Sequence, residues 1–147
     1  MGVFTTPLAI AEDRSDARVA TRSILSEFTD PELKVAEGCG CYMRRPGATE
    51  SDGLLFFGKL GDQKESGWIA LGGKLMEVLK AKPHSTRIEN GKTVRTQSYR
   101  SDDVTVQVDL VQQQVNEAEE TSTYTGEVTV SSDGRTETVQ VAGSCGC

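Results

Sequence analysis

The chain has 147 residues, of which 36% are hydrophobic, only 5% are aromatic, and 15 are glycines. This length suits one domain with its own core and is too short for two. The 16 basic and 22 acidic residues give a net charge of −6, and Arg44-Arg45 is the only adjacent basic pair. Phosphate backbones require clustered positive charge, so nucleic acid is excluded as an expected partner. No stretch reaches the roughly 20 apolar residues that a transmembrane helix needs.

The N-terminal part differs from the rest. Residues 1–15 are expected to be a flexible segment, and Ala9-Ile10-Ala11 followed by acidic residues is typical of the end of a secretory signal. This pattern predicts a periplasmic or secreted protein, with a cytoplasmic location as the alternative. The next stretch predicts a short helix, because apolar residues recur at helical spacing: Ala17, Ala20, Ile24 and Phe28.

From residue 37 onward, short alternating runs predict one strand after another. The candidate strands cover residues 37–45, 54–59, 67–71, 74–80, 86–89, 93–100, 104–114, 123–131 and 135–141. The connections are too short for helical crossovers, so neighbouring strands are expected to be antiparallel. We predict a mainly β fold: an antiparallel meander or sandwich-like sheet of about eight strands with one short N-terminal helix. Residues 16–147 would form this single domain.

Turn chemistry sets the register of two hairpins. A two-residue turn at Asp133-Gly134 places Val128 opposite Val139 and Tyr124 opposite Gly143. The predicted core face then carries Tyr124, Val128, Val130, Val139 and Val141. A turn at Gly72-Gly73 leaves apolar residues on both faces of its strands, Trp68 among them, and predicts cover on both sides.

The Asn90-Gly91 pair gives a less consistent pattern. A two-residue turn there would send Ile88 and Val94 to opposite faces. We therefore expect either a longer loop or an edge strand between residues 86 and 100. Such an edge could support dimerisation or strand addition, although charged residues along it oppose both.

All four cysteines lie in two Cys-Gly-Cys tripeptides, Cys39/Cys41 and Cys145/Cys147. Residues i and i+2 of a strand share a face, so antiparallel pairing of these two segments would bring four sulfurs together. The pattern predicts the disulfides Cys39–Cys147 and Cys41–Cys145, which require an oxidising compartment. No cofactor is expected in this interpretation.

Two other chemistries remain open for the same four residues. Cys39, Cys41, Cys145 and Cys147 could together hold a structural zinc ion in an intracellular adaptor, although zinc pairs are usually spaced by two to four residues. Alternatively, a bond inside each Cys-Gly-Cys could serve thiol-disulfide exchange, but the βαβ context typical of such enzymes is absent.

No catalytic constellation stands out in the sequence. His84 is the only histidine, and Lys82-Pro83-His84-Ser85 predicts a solvated loop. No Gly-x-Ser-x-Gly elbow marks a nucleophile for it. The sequence therefore predicts a non-catalytic domain that acts by binding an unknown protein or small ligand, with an unknown oligomeric state.

The cysteine strand, the apolar strands after it and the run from Trp68 to Lys74 loosely resemble small bacterial extracytoplasmic β proteins such as membrane-bound lysozyme inhibitors. The resemblance covers less than a third of the chain, and the inhibitors' characteristic loop is not found in this sequence. It implies an inhibitor-like extracytoplasmic binding role and assigns no function to individual residues.

Overall fold

The computed structural model describes residues 23–29, 39–49, 51–60 and 65–146. Within these residues the chain forms nine strands and no helix. The strands are β1 (Leu25–Ser26), β2 (Gly40–Arg44), β3 (Phe56–Lys59), β4 (Ser66–Leu71), β5 (Lys74–Glu89), β6 (Lys92–Ser101), β7 (Val104–Asn116), β8 (Thr121–Ser132) and β9 (Arg135–Gly146). None of the described residues belongs to a helix long and apolar enough to cross a membrane.

The strands form one antiparallel sheet that closes into a barrel. From β2 to β9, each strand pairs with the next one along the chain, and β9 returns to pair with β2. The short β1 pairs with β4 on the same side as β3. The predicted antiparallel β class and meander order are confirmed. The sheet closes on itself, so it has one layer wrapped around a core and is not a two-layer sandwich.

The predicted N-terminal helix is wrong for residues 23–28, the part of it that the structure describes. Leu25 and Ser26 form a strand against β4, and Phe28 makes an isolated antiparallel bridge to Leu54. A short helix with small apolar residues has little stability of its own, whereas the edge of β4 offers ready backbone partners. Residues 1–22, with the predicted flexible segment and the rest of the helix, lie outside the described residues.

The two hairpin registers predicted from turn chemistry are confirmed. Ser132 pairs with Arg135 around Asp133-Gly134, which sets Val128 opposite Val139 and Tyr124 opposite Gly143. At the other hairpin Leu71 pairs with Lys74. Both central residues of each turn have positive φ angles between 52° and 85°, the geometry that joins twisted strands tightly.

The Asn90-Gly91 connection is also a two-residue turn, so the longer loop is wrong and the edge-strand alternative is confirmed. Glu89 pairs with Lys92 across the turn. Ile88 is 69% exposed, whereas Val94 is buried. After Lys80, β5 continues to Glu89 and pairs with β6 on one side only. No described residue pairs with its other side, so this part of β5 is an edge of the sheet.

The loop predicted around His84 is in fact part of β5. The strand runs continuously from Lys74 to Glu89. Its register against β6 shifts twice, between Lys80 and Lys82 and between Lys82 and Ser85. Such bulges change the direction in which side chains point. Pro83 lacks an N–H to donate and is tolerated here because this part of β5 is a sheet edge.

The barrel interior is filled mainly by apolar side chains. Gly58 and Gly67 lie opposite each other and leave room for the Phe56 ring, since a Cβ on either would come within 2.9 Å of a ring carbon. The buried interior residues include Met43, Leu55, Phe56, Ile69, Val78, Val106, Val108, Leu110, Val128, Val130 and Val141.

A second, smaller cluster lies on the outside of β3 and β4. The Tyr42 and Phe57 rings are 4.8 Å apart, and Trp68 packs against the same group. Phe28 and Leu54 cover it from the segments that flank β1 and β3. The prediction that this part of the sheet is covered on both faces is confirmed. On the outer face, the described residues that cover it lie in extended chain and not in a helix.

Candidate functional site

The two Cys-Gly-Cys segments meet at the seam where the barrel closes. β2 and β9 pair antiparallel with Gly40 opposite Gly146 and Cys41 opposite Cys145. Cys41 and Cys145 form a disulfide bond that joins residues 104 positions apart. Both are almost fully buried, and the predicted Cys41–Cys145 bridge is confirmed.

The second bridge remains a prediction. Cys39 is disulfide-bonded, and no free cysteine occurs in the described part of the chain. Its predicted partner Cys147 lies outside the described residues. The β2–β9 register would place these two residues opposite each other as the next pair.

The cross-strand bond bears on both alternative chemistries. A four-cysteine zinc site would need Cys41 and Cys145 as thiolates, and here their sulfurs are bonded to each other. The described residues contain no group of three potential metal ligands. A bond inside each Cys-Gly-Cys is not the arrangement found, and the buried Cys41–Cys145 bond offers little access for exchange.

Strand β6 turns a row of polar side chains toward the interior. Residues that face each other across antiparallel strands share a side of the sheet. Tyr99 lies opposite Val106, Gln97 opposite Val108, and Arg95 opposite Leu110. Those three β7 residues are buried in the core, so Arg95, Gln97 and Tyr99 face inward along one strand.

Gln97 is the most buried polar residue of this row. Its side chain is fully buried, and its Oε1 accepts a hydrogen bond of 3.1 Å from the Tyr99 hydroxyl. Burial raises the pKa of Tyr99 far above its ordinary value, so this hydroxyl stays protonated as a donor. The Gln97 Nε2 has no hydrogen-bond partner among the residues that the structure describes.

His84 joins the same region from β5. Its ring packs edge-on against Tyr99 at 5.9 Å between centroids, and its Nε2 is buried without a described partner. The predicted solvated loop histidine is therefore wrong. Burial lowers the pKa of His84; Glu65 opposes that shift, while Arg95 and Lys80 add to it.

Charged groups surround these residues. Lys80 donates to Glu65 at 2.9 Å, and the Arg95 guanidinium lies 5.9 Å from the centre of the Tyr124 ring. Arg95 forms no ion pair with any described residue. We call Glu65, Lys80, His84, Arg95, Gln97 and Tyr99 the interior polar cluster.

We call the end of the barrel that carries the Asn90-Gly91 turn the lower end. Two of the exposed large hydrophobic residues continue inward-facing rows there. Ile88 is two residues beyond Thr86, which faces Arg95. Val115 pairs with Ser122, and Ser122 pairs with Cys145, which is buried in the core. Val115 therefore lies on the inward face of β7. Ile88 and Val115 are 69% and 58% exposed.

The outer surface of the described residues carries open grooves. One of about 300 Å³ lies over β5 to β8, between Lys82, Arg100 and Thr129. No buried side chain with an unpartnered polar atom lines it. The interior polar cluster is therefore the better candidate site.

Sequence reasoning predicted the Cys41–Cys145 bridge but missed the interior polar cluster. The alternation of Arg95, Gln97 and Tyr99 with Thr96 and Ser98 is polar on both faces and reads as a solvated strand. One signal could have found it. A two-residue turn at Asp102-Asp103 sets Tyr99 opposite Val106, within the apolar face of β7.

No family model, curated protein or solved structure matches this chain. The resemblance to lysozyme inhibitors thus gains no support from these comparisons.

Proposed function

We propose that this chain is a non-catalytic binding domain of an extracytoplasmic compartment, and that its barrel takes a small ligand at the interior polar cluster. The observation that carries the binding role is the fully buried Gln97, whose amide nitrogen is unpartnered among the described residues. Unsatisfied buried donors cost free energy unless a water or ligand meets them.

The architecture is compatible with a small ligand at the polar part of the interior. An eight-stranded barrel has an interior just wide enough for side chains or for one small ligand. Ligand sites combine apolar walls with a few convergent polar groups. Here Val108 and Leu110 provide apolar walls beside Gln97 and Arg95.

The disulfide supports the compartment. Disulfides persist where the surroundings are oxidising and are rare in reducing cytosol. The Cys41–Cys145 bond is buried at the closing seam, the position of a structural bridge. This supports a periplasmic or secreted location over the cytoplasmic zinc adaptor.

Protein binding along the free side of β5 receives less support. That stretch contains two register shifts, Pro83, and the charged residues Lys82, Arg87 and Glu89. Bulges, proline and charge are the features by which edge strands resist pairing with another chain.

Intact mass tests the compartment. Protein from its natural cells, quenched in acid and alkylated under denaturing conditions, should carry no label and should gain about 4 Da on reduction, because two disulfides each take up two hydrogens. Alkylation of all four cysteines in the cell would contradict the oxidised form and revive the zinc adaptor.

Amide NMR tests the binding role. Neutral, anionic and cationic small molecules are titrated into the ¹⁵N-labelled oxidised protein while the side-chain amide of Gln97 is followed. At least one class should shift this resonance in a saturable way. If no class shifts it, the interior is not a binding site.

A further inference from the structure

We propose that the interior polar cluster binds the carboxylate of a small organic acid that has an apolar body. This proposal rests on the binding function above and names the chemical class of its ligand. Arg95 and Gln97 would hold the carboxylate, and the apolar body would lie toward the lower end of the barrel.

The Gln97 amide is held through its oxygen. Its Oε1 accepts the hydrogen bond from Tyr99, so the two N–H donors of Nε2 are directed away from that hydroxyl. An acceptor atom is what this position lacks. A ligand oxygen would satisfy it, whereas a ligand N–H would not.

The charges in the cluster favour an anion. Of the three charged residues, Lys80 and Glu65 form an ion pair with each other. The positive charge of Arg95 has no carboxylate beside it among the described residues, and its contact is the Tyr124 ring. A half-buried guanidinium binds carboxylates through two parallel N–H donors.

Arg95 and Gln97 are close enough to act on one group. Residues i and i+2 of a strand have Cα atoms roughly 7 Å apart and point the same way. The Arg95 guanidinium lies 5.9 Å from the centre of the Tyr124 ring on this inward side. In the proposed complex, the carboxylate would lie between that guanidinium and the Gln97 Nε2.

The exposed hydrophobic residues at the lower end offer a contact surface for the apolar body of the ligand. Ile88 and Val115 continue inward-facing rows and are 69% and 58% exposed. An apolar ligand body placed over them would remove this surface from water. Inorganic anions and acetate lack such a body, and a cationic ligand would meet Arg95 and Lys80.

The experiment uses four probes on the oxidised full chain: octanoate, octan-1-ol, octylammonium and acetate. Binding is followed by NMR through the Gln97 side-chain amide and the Arg95 Nε–H. Octanoate should shift both signals to saturation. Octan-1-ol and octylammonium should bind at least about tenfold more weakly, since a hydrogen bond to a charged group is worth about 1.5–3 kcal/mol, or tenfold or more in affinity. Acetate should also bind at least about tenfold more weakly, because it lacks the apolar body.

Arg95→Met keeps the length and apolar stem of the side chain and removes its charge. It should weaken octanoate at least about tenfold and leave octan-1-ol unchanged. The matched control is Arg100→Met, which lies on the same strand but faces outward opposite Thr105. It should bind octanoate like the wild type. If Arg95→Met does not fold, Arg95→Lys replaces it, and loss of the paired donors should still weaken octanoate severalfold.

The remaining results would refute either the ligand class alone or the ligand class together with the binding site. Equal binding of octan-1-ol or octylammonium, with both signals shifting, would refute the organic acid and leave the binding function standing. Unchanged octanoate binding in Arg95→Met, or equal loss in Arg100→Met, would also refute it. If no probe of any class shifts the Gln97 amide, both the ligand class and the interior binding site fall.

Discussion

Two glycines mark places where neighbouring strands approach so closely that no side chain fits. A Cβ on Gly143 would overlap the backbone carbonyl oxygen of Tyr42 on β2, and one on Gly126 would overlap that of Asp109 on β7. Because the obstacle is backbone, it cannot rotate away as a side chain could. These two positions set how tightly β9 and β8 pack against their neighbours in the barrel.

Gly143→Ala should therefore destabilise the fold by about 3 kcal/mol, since β2 and β9 must separate to admit the methyl group. Urea unfolding followed by tyrosine and tryptophan fluorescence measures the change in the free energy of unfolding. Ser144→Ala, one residue further along β9, adds no atoms and should stay within about 0.5 kcal/mol of the wild type. Equal stabilities of the two variants would contradict the close approach.

His84 makes stability depend on pH in a defined direction. Burial and the nearby cations Arg95 and Lys80 lower its pKa in the folded state, against the opposing effect of Glu65. The unfolded chain, with the ordinary value of 6.5, takes up the proton first as the solution is acidified. The folded state should therefore lose stability as the pH falls below 6.5, down through the folded-state pKa.

Since the chain has a single histidine, its NMR titration is unambiguous. The midpoint should lie below 6.5. Between pH 7.5 and pH 5.5 the urea midpoint of the wild type should fall more than that of His84→Gln. A titration midpoint at or above 6.5 would show that the imidazole is not desolvated against Tyr99.

At the scale of elements, local chemistry predicted most strands but not which way all of them face. The Asp133-Gly134 hairpin was predictable in full because turn type and apolar alternation agree on one register. β5 was predicted as two strands because Pro83 and its polar neighbours are typical of a loop. Its continuity depends on bulges and on β6, which local sequence does not reveal.

The polar side chains of β6 illustrate the same limit. Arg95 and Gln97 face inward only because β7 lies beside them with its apolar face toward the core. The sequence of β6 alone is equally compatible with exposure. The Cys41–Cys145 pairing was predictable because two identical tripeptides restrict the possible registers. The candidate ligand site depends on barrel closure and was not predictable from any one segment.

The free side of β5 should become an association site if its charges are removed. Arg87 and Glu89 form an ion pair on this stretch, and both are exposed. Arg87→Val with Glu89→Val replaces them with strand-forming apolar residues at an unpaired edge. Sedimentation velocity should show a shift to larger species with rising concentration, by roughly 100 µM.

Arg100→Val with Thr105→Val is the matched control for that variant. It adds valines at exposed positions on β6 and β7, where the strands pair on both sides. It should sediment like the wild type at every concentration. Association of both variants alike would mean that added apolar surface, and not the open edge of β5, drives it.

For the whole molecule, closure depends on the pairing of β2 with β9, which brings together residues from opposite ends of the described chain. This non-local pairing carries a large loop-closure entropy cost. A bond that joins residues 104 positions apart removes much of that cost from the unfolded state. In the chain-entropy model, one such bond is worth about 4–5 kcal/mol, and a neighbouring second bond adds far less because the loop is already closed.

This model predicts strong non-additivity between the two cysteine pairs if Cys39 and Cys147 are bonded as expected. Cys41→Ala with Cys145→Ala, and Cys39→Ala with Cys147→Ala, should each cost up to about 2 kcal/mol, mainly from lost packing. Removing all four cysteines should cost about 4–5 kcal/mol more than the sum, because only then does the loop open. Urea unfolding of the four proteins gives each value, and the same series in reductant should be close to additive. If Cys41→Ala with Cys145→Ala alone costs the full amount, the second bridge is absent and the Cys41–Cys145 bond alone closes the barrel.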